Sequence, residues 1–284
     1  MPRSRRFGIS TQLYHGQRLT RDHLREVAAA GFDAIELFAT RTHADYHSES
    51  AMADLQGWLA DARLELESVH APVAESFTGG RWGQLLNLAS SDAAARTHAL
   101  DEAMQALRLA RRWPFRTFVV HAGIEKARQP APGANSRDGA RRSIEALATA
   151  ARPLGVTVAV ELIPNELSKA ETLVHFVEEV LDAGAAAICL DLGHARLAGD
   201  VADAVEVVSE HIALVHAHDN RGRQDEHLVP FDGAIDWPAA LTALQKVGYD
   251  GTVVLEPGPQ GSTKETLVRA KAARARMERL LSTF

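Results

Sequence analysis

Apolar and polar residues follow two regular patterns along the chain. Short runs rich in β-branched and other apolar residues predict strands that are buried on both faces of a sheet. Eight such runs occur, at "FGIST" (7–11), "AIELFA" (34–39), "LESVHAP" (66–72), "TFVVHAG" (117–123), "TVAVELIP" (157–164), "AAICLDLGHA" (186–195), "IALVHAHD" (212–219) and "GTVVLEP" (251–257). Between them, segments such as "TLVHFVEEVLDAG" carry apolar residues at spacings of three and four, which predicts helices. Strands and helices are therefore predicted to alternate.

Eight strand–helix units in a chain of 284 residues predict a (β/α)8 TIM barrel. A doubly wound open sheet is the alternative fold. No linker rich in Pro, Gly or Ser divides the sequence, and "QPAPGANS" (129–136) falls between a strand and its following helix. A single domain spanning residues 1–284 is therefore expected, which is an ordinary size for one such barrel.

The lengths of the connections indicate which face of the barrel carries function. Turns from helix to strand are tight, as in "GFD" and "GYD", whereas connections from strand to helix are long, as in "VAESFTGGRWGQLLNLASS" and "NRGRQDEHLVPFDGAID". In a barrel the long connections share the carboxyl end of the strands, where eight strand ends converge on one mouth. Catalytic groups are expected there.

Ionisable side chains concentrate at that end of the predicted barrel. Seven of them end or nearly end six adjacent strands: His70, His121, Glu161, Asp191, His194, His216 and Glu256. Asp225 and His227 follow in the loop after strand seven, where a one-residue spacing lets both side chains reach a single ion. Imidazole suits zinc and other transition metals, while carboxylates suit harder ions and bridge pairs of metals. The mixed set is compatible with divalent Mn, Zn, Co or Fe.

Each of these residues also has a purely structural interpretation. A histidine at a strand end, such as His70 or His121, is more often a hydrogen-bonded structural residue, and Glu161 alone can pair with an arginine. Carboxylates within the apolar runs "VAVELIP" and "VVLEP", however, are costly to bury without a cation or hydrogen-bond partners. Taken together, the nine residues favour a metal site over nine separate structural roles.

Other ionisable residues are assigned differently. His15 and Glu36 lie near the ends of strands one and two, where structural and substrate-contact roles are equally expected. His218 lies two residues beyond His216, on the same side of a regular strand, so it either lines the pocket or supports its rim. Five further histidines fall in polar loops or on predicted helices and are excluded as ligands: His43, His47, His98, His175 and His211.

Composition narrows the classes of partner. A formal net charge of −6 gives no overall basic field, which argues against nonspecific binding of nucleic acid or anionic membranes. The single cysteine, Cys189, lies in an apolar run and cannot form an intramolecular disulfide, so a reducing cytoplasm is the simplest compartment. The basic opening "MPRSRRFGIS" precedes no apolar segment, and no long apolar stretch follows later. We expect a soluble, unprocessed chain without a membrane partner.

Six motifs carry a family resemblance over nearly the whole chain. They are, in this order, "SVHAP", "VVHAG", "VELIPN", "LDLGHA", "HAHDNRGRQDEHLVPFDGAIDW" and "GYDGTVVLEP". They resemble the xylose-isomerase-like TIM-barrel superfamily, which includes sugar epimerases, hydroxypyruvate and inosose-type enzymes, and endonuclease IV. The resemblance implies that the common metal site of this superfamily maps to Glu161, Asp191, His216 and Glu256. It also implies a small carbohydrate or polyol substrate, phosphorylated or not.

The resemblance to the epimerase and isomerase members further implies a mechanism. The metal chelates a carbonyl and the adjacent hydroxyl, one of Glu161 and Glu256 removes the α-proton, and the other returns a proton to the enediolate. His194 matches a family histidine that contacts a substrate oxygen. Arg221 or Arg223 is a candidate for binding hydroxyls or phosphate, although arginines in polar loops are more often simply solvated.

Endonuclease IV provides the main alternative. Its three-zinc pattern carries over as Glu161, Asp191, His216 and Glu256 around one ion, His70 and His121 with bridging Glu161 around a second, and His194, Asp225 and His227 around a third. The sequences between the ligands depart from that family, and neither "ESFTGGRWGQLL" nor "IEKARQP" is strongly basic or aromatic, as a DNA-penetrating loop would be. Action on abasic DNA is therefore the second hypothesis.

Further alternatives remain open from the sequence. A metal-dependent lyase on oxidised sugars uses the same α-proton abstraction but expels a β-substituent, and a non-catalytic sugar-binding barrel has the same fold. The segment "EPGPQGSTKET" (256–266) either offers helix-terminal amides to a phosphate or is a simple capped connection. Exposed helices of such barrels commonly support homo-oligomers.

Overall fold

Eight parallel strands form a closed barrel in the computed structural model, which describes residues 6–259 and 261–282. The strands are β1 (Phe7–Ser10), β2 (Ala34–Phe38), β3 (Glu65–His70), β4 (Thr117–His121), β5 (Thr157–Glu161), β6 (Ala187–Asp191), β7 (Ile212–Ala217) and β8 (Val253–Leu255). Strand β1 pairs with both β2 and β8, which closes the sheet. The predicted TIM barrel is confirmed, and the open doubly wound sheet is wrong.

Helices cover the outside of the barrel. They are α1 (Arg21–Ala29), α2 (Glu49–Ala62), α3 (Ala93–Leu107), α4 (Arg137–Ala151), α5 (Ala170–His175), α6 (Leu192–Ala198), α7 (Val201–Val207), α8 (Trp237–Lys246) and α9 (Thr263–Ser282). A π-helical turn (Phe176–Val180) continues α5, and short 3-10 turns lie at Thr11–Tyr14, Arg108–Arg111, Lys126–Arg128, Arg152–Leu154 and Ser209–His211. Among the described residues, no helix has the length and apolar character needed to cross a membrane.

Polar residues at the helix starts explain where the chain turns from loop to helix. Ser48, Asp92, Ser136 and Asp236 each accept a hydrogen bond from a backbone N–H in the first turn of the following helix. Asp191 does the same for α6, because its Oδ1 accepts the N–H of His194 at 2.7 Å. This cap ends β6 four residues before the end of the predicted run 186–195, so the segment "LGHA" is helical rather than extended.

The barrel interior is filled by a small cluster that is separate from the main core. One residue from each of five consecutive strands contributes to it: Val119, Ala159, Cys189, Leu214 and Val254. All five are essentially inaccessible to solvent, including the free Cys189. The main core lies between the outer faces of the strands and the helices. The interior cluster forms the floor beneath the mouth of the barrel.

The loop after β3 contains a small hairpin that was predicted only as a loop. Phe77–Thr78 pairs antiparallel with Arg81–Trp82. Gly79 and Gly80 form the two-residue turn, both with positive φ (58° and 76°), a conformation that glycine adopts without steric cost. The hairpin places Trp82 at the mouth of the barrel.

Some expectations concern residues outside the described part of the chain. Residues 1–5 of the basic opening, Gln260 in the connection 256–266 and residues 283–284 belong to this group. The boundaries of the single domain, 1–284, and the phosphate-binding reading of that connection therefore stay predictions.

Candidate metal centre

The strand geometry explains why so many ionisable side chains meet at one place. Side chains two residues apart on a strand point to the same face. Two residues beyond the five interior floor residues lie His121, Glu161, Asp191, His216 and Glu256. Strand pairing also brings His121 level with Glu161 and Asp191 level with His216. Because inward-facing positions recur every two residues, the position that follows each apolar floor residue carries an ionisable side chain, and together these side chains form a polar ring above the floor.

Four of these residues form the first of three clusters, here called the central cluster: Glu161, Asp191, His216 and Glu256. Their donor atoms all lie within 4.8 Å of one another. Nδ1 of His216 is 3.4 Å from Oε1 of Glu161, 3.4 Å from Oε2 of Glu256 and 4.0 Å from Oδ2 of Asp191. All four side chains are buried. The predicted ligands are thus brought together.

The donors of the central cluster fit a divalent cation. Oδ2 of Asp191 and Nδ1 of His216 are buried and make no hydrogen bond within the described structure. Buried polar atoms without a partner are costly, and three carboxylates packed together repel one another unless positive charge lies between them. One imidazole with three carboxylates suits Mn, Zn, Co or Fe. The four residues could therefore hold one such ion.

A second cluster shares Glu161 with the first. Nε2 of His70 and Nε2 of His121 each lie 3.0 Å from Oε2 of Glu161, while Oε1 of the same carboxylate faces His216. A carboxylate whose two oxygens face different groups of ligands is suited to bridge two ions. The grouping of His70, His121 and Glu161 is the one implied by the resemblance to endonuclease IV.

The third cluster lies next to Glu161, whose Oε1 is 3.4 Å from Nδ1 of His194. It contains four residues: His194, His218, Asp225 and His227. Oδ2 of Asp225 is 3.2 Å from Nε2 of His194 and 3.0 Å from Nε2 of His227. His218 was expected only to line the pocket or support its rim. Its spacing of two from His216 was the sequence signal that it points to the same side.

The rings of four histidines in these clusters are held in one orientation. One ring nitrogen of each donates to a fixed acceptor, which leaves the other nitrogen facing the cluster: His70 to the Ala71 carbonyl (2.8 Å), His194 to the Leu162 carbonyl (3.0 Å), His227 to the Glu256 carbonyl (2.9 Å) and His216 to the Glu36 carboxylate (2.9 Å). Metal-binding histidines in proteins are usually anchored in this way, because the second bond fixes both tautomer and ring orientation.

The electrostatics of the site reflect dense packing of opposite charges. Burial by itself raises the pKa of the Glu161 carboxyl, but His121 and His216 outweigh burial and hold that pKa well below its usual range. Burial disfavours the charged form of His70, yet the neighbouring Glu161 raises the pKa of His70 to about 9. The pKa of Glu256 is raised, chiefly by burial. The carboxylates therefore need positive partners, which either ring protons or a cation supply.

The clusters open into a cavity of about 580 Å³ at the mouth of the barrel. Its polar side carries members of all three clusters: His70, His121, Glu161, His194, Asp225, His227 and Glu256. Its other side includes an aromatic wall, in which Trp82 stacks on His15 with ring centroids 5.3 Å apart and Arg128 lies 5.7 Å from the Trp82 ring. Trp82 and Arg128 were not predicted from the sequence, because neither lies at the end of a barrel strand.

Other predicted substrate contacts have mixed outcomes. Of the two roles expected for Glu36, the structure shows the structural one: Glu36 does not line the cavity, is fully buried, and its Oε2 accepts from His216 and Ser68. Arg221 turns to Glu226 in its own loop and is also absent from the cavity wall, whereas Arg223 lines the cavity. The excluded histidines with partners in the structure bond elsewhere, as His43 does to the Gln17 carbonyl. His15 does line the cavity.

Comparison with known proteins identifies the family. A family model described as "Xylose isomerase-like TIM barrel" matches residues 24–280. The chain belongs to this xylose isomerase-like family. The uncharacterized protein MJ1311 of Methanocaldococcus jannaschii is 29% identical over 259 residues, covering 88% of this chain and 83% of the relative. A D-psicose 3-epimerase of Enterocloster bolteae is 22% identical over 243 residues, covering 83% and 75%.

Solved structures of this xylose isomerase-like family superpose over almost the entire barrel. A D-tagatose 3-epimerase-like protein is 26% identical, with a TM-score of 0.81 and 98% of each chain covered. An IolI protein with a bound zinc atom is 17% identical, with a TM-score of 0.78 and coverage of 98% of this chain and 99% of that protein. At 17% identity, this second likeness shows the fold alone.

Proposed function

We propose that this chain is a metal-dependent sugar isomerase or epimerase that moves a proton at the carbon next to a carbonyl. The observation that carries the proposal is the pair Glu161 and Glu256. Glu161 ends strand β5 and Glu256 directly follows strand β8; both belong to one four-residue cluster with ligand character, and both line the 580 Å³ cavity. The names of the relatives, D-psicose 3-epimerase and D-tagatose 3-epimerase-like protein, support this class of reaction.

Glu161, Asp191, His216 and Glu256 would hold the central cation. Bound there, a divalent ion would supply Lewis acidity toward a carbonyl oxygen, which makes the adjacent C–H more acidic. We assign removal of that proton to Glu256. Glu161 is more constrained, because its two oxygens face His216 on one side and His70 and His121 on the other. It is assigned to return the proton from the opposite side.

The cavity suits a small carbohydrate or polyol. Its volume lies within the range of small-molecule sites, of the order of 300–1,000 Å³. The Trp82 face would pack against the C–H side of a sugar, while Arg223, Gln12 and His194 would meet its hydroxyls. An open-chain or keto form would present its carbonyl to the central cluster.

The experiment that tests this proposal is solvent isotope exchange with the wild-type protein. The protein is loaded in turn with Mn, Zn, Co and Fe(II) and incubated in D₂O with a panel of ketopentoses and ketohexoses. Deuterium appearing at the carbon next to the carbonyl, together with a new isomer or epimer, supports the proposal. Substrate turnover without deuterium uptake in every case would contradict proton transfer through solvent-exchanging carboxylates.

A second function is favoured by one specific observation, the presence of three adjacent ligand clusters that share Glu161 or abut it. Several ions together can activate hydroxide and neutralise a phosphodiester, as in an endonuclease IV-like enzyme. Incision of DNA containing an abasic site is the corresponding assay. Efficient incision combined with no activity on keto sugars would replace the sugar proposal with this one.

A further inference from the structure

Arg128 is a charged residue on the cavity wall to which the proposed reaction gives no role. Its side chain is 32% exposed, and its Nε lies 3.8 Å from Oε1 of Glu125, which is an ion-pair distance but too long for a hydrogen bond. The guanidinium makes no hydrogen bond to any residue that the structure describes. A guanidinium carries five N–H donors, so Arg128 has unused capacity for an acceptor.

An aromatic ring holds this guanidinium at the cavity wall. Cζ of Arg128 lies over the ring of Trp82, 5.7 Å from its centroid, which is within the range of a cation–π interaction. Trp82 is itself held by Phe77 and His15, whose ring centroids are 4.7 and 5.3 Å from its own. Packing on an aromatic face leaves the N–H groups of an arginine free to bind in the plane of the guanidinium.

The 3-10 turn that carries Arg128 has a fixed backbone. The N–H of Lys126 donates to the carbonyl of Pro164, in the segment after β5, at 3.0 Å. Asn135 closes the base of the same loop, because its side chain accepts from the N–H of Ile124 at 2.7 Å and donates to the carbonyl of Ile124 at 2.9 Å. A binding group on a fixed backbone loses less conformational entropy when a ligand arrives.

A second arginine with free donors borders the same cavity. Arg223 lies in the loop after β7, is exposed, and makes no hydrogen bond or ion pair with the described residues. Arg221 in the same loop differs, because it pairs with Glu226 and does not line the cavity. The cavity wall therefore carries two guanidinium groups whose hydrogen-bonding capacity is unused.

The two arginines lie farther from the barrel floor than the central cluster does. Glu161 and Glu256 are buried, whereas Arg128 is partly exposed and Arg223 exposed. A substrate that presents its carbonyl to the central cluster would therefore extend its other end toward the arginines. Neutral hydroxyls balance none of the arginine charge, whereas the paired oxygens of a carboxylate or phosphate match the guanidinium both in geometry and in charge.

We propose that Arg128 selects acidic sugars, which carry an anionic group at the end of the chain away from the carbonyl. Arg223 adds a second positive charge at the same opening. A phosphate monoester and a carboxylate both offer the paired anionic oxygens that this site would bind. The orientation of the substrate rests on the proposed function, since the carbonyl is placed at the central cluster. The anion contact itself can be measured without any reaction.

The test compares three probes that share a five-carbon polyol chain: ribitol, ribitol 5-phosphate and ribonate. None of them has a ketone, so none can undergo the proposed proton transfer. Isothermal titration calorimetry on the Mn²⁺-loaded, full-length protein measures the Kd of each probe. The variants are Arg128→Gln, Arg128→Lys and Arg223→Gln. Arg221→Gln is the matched control, because it removes an arginine of the same loop that lies off the cavity wall.

Wild type should bind at least one anionic probe at least 10-fold more tightly than ribitol, because hydrogen bonds to a charged group are worth roughly that factor. The more tightly bound of the two shows whether phosphate or carboxylate is the better anion. Arg128→Gln should abolish the preference, Arg128→Lys and Arg223→Gln should reduce it, and Arg221→Gln should retain it.

Two results would overturn the proposal. Equal affinity of wild type for all three probes would show that the cavity does not select an anion. A full preference in Arg128→Gln would place the anion on the bound metal rather than on the arginine. Deuterium uptake into keto sugars is measured separately. Its absence beside an intact anion preference rejects only the proposed reaction, and its presence beside equal affinities rejects only the selection of acidic sugars.

Discussion

His216 donates its Nε2 proton to Oε2 of Glu36 across 2.9 Å, and this bond turns Nδ1 of the same ring toward the central cluster. Both side chains are fully buried, and Ser68 donates a second hydrogen bond to the same carboxylate oxygen at 2.8 Å. Glu36 therefore fixes the ring orientation of His216, a candidate metal ligand. Glu36 itself does not line the cavity in which substrate would bind.

Replacing Glu36 tests this supporting role. Glu36→Ala should weaken metal binding at the central cluster by about 10- to 100-fold, because the His216 ring loses its anchor. Competition with a chelating indicator measures the affinity. Glu36→Gln retains an oxygen acceptor for Nε2 and should lose less. Equal affinity in wild type and Glu36→Ala would show that the ring is oriented by its packing alone.

Metal removal should lower stability. A ligand that binds only the folded state stabilises it by about 2.7 kcal/mol at a free concentration of 100 times its Kd. Thermal unfolding with chelator and with added Mn or Zn should therefore give clearly different midpoints. Asp191→Asn should reduce that difference, because the buried Oδ2 that faces His216 is lost as a charged ligand. An unfolding midpoint that is the same with chelator and with added metal would contradict a metal site at the central cluster.

The aromatic wall should contribute to substrate binding rather than to proton transfer. Trp82→Ala removes the face that stacks on His15 and lies beneath Arg128, so KM for a keto sugar should rise by roughly 5- to 30-fold while kcat changes little. Trp82→Phe keeps an aromatic face and should show a smaller rise. A fall in kcat with constant KM would assign Trp82 to the reacting geometry instead.

Acid should destabilise the fold through His43, which lies away from the clusters. Burial, only partly opposed by the hydrogen bond to Gln17, lowers the pKa of His43 to about 4 from an ordinary value of 6.5. The unfolded chain therefore binds a proton that the folded chain excludes, so stability present above pH 6.5 is lost as the pH falls toward 4. The slope is at most about 1.4 kcal/mol per pH unit.

Urea unfolding at several pH values measures this contribution. His43→Gln should flatten the decline in stability between pH 6.5 and 4 relative to wild type, because the titrating group is gone. The exposed His175→Gln provides the control and should keep the wild-type slope. Parallel curves for wild type and His43→Gln would mean that other groups carry the acid sensitivity.

The sequence predicted the barrel and the four ligand candidates of the central cluster because both follow from the same period of two along parallel strands. Apolar floor residues such as Ala159 and polar residues such as Glu161 occupy successive inward positions, so recognising the strands also located the ligands. The tight and long connections then indicated which barrel end carries them. Strand periodicity and connection length are local features, so they can be recognised without knowing which distant residues come into contact.

Other parts of the site depend on contacts that are distant in sequence. The sequence left open whether Glu36 contacts substrate or has a structural role, because its pairing with His216 joins residues 180 positions apart. The place of His218 requires the bare backbone of Gly193, and Trp82 reaches the cavity only because a two-glycine turn folds the loop after β3 back over the mouth. Composition and periodicity carry no information about such pairings.

The proton-transfer roles of Glu161 and Glu256 are tested most directly by deuterium uptake in single variants of the metal-loaded protein. Glu161→Gln and Glu256→Gln should each reduce incorporation of solvent deuterium into a keto-sugar substrate by at least about 100-fold. Arg221→Gln, which changes the same mouth region outside the cavity wall, should retain the wild-type rate. Wild-type deuterium incorporation in both glutamine variants would contradict the assignment of these two carboxylates as the acid–base pair.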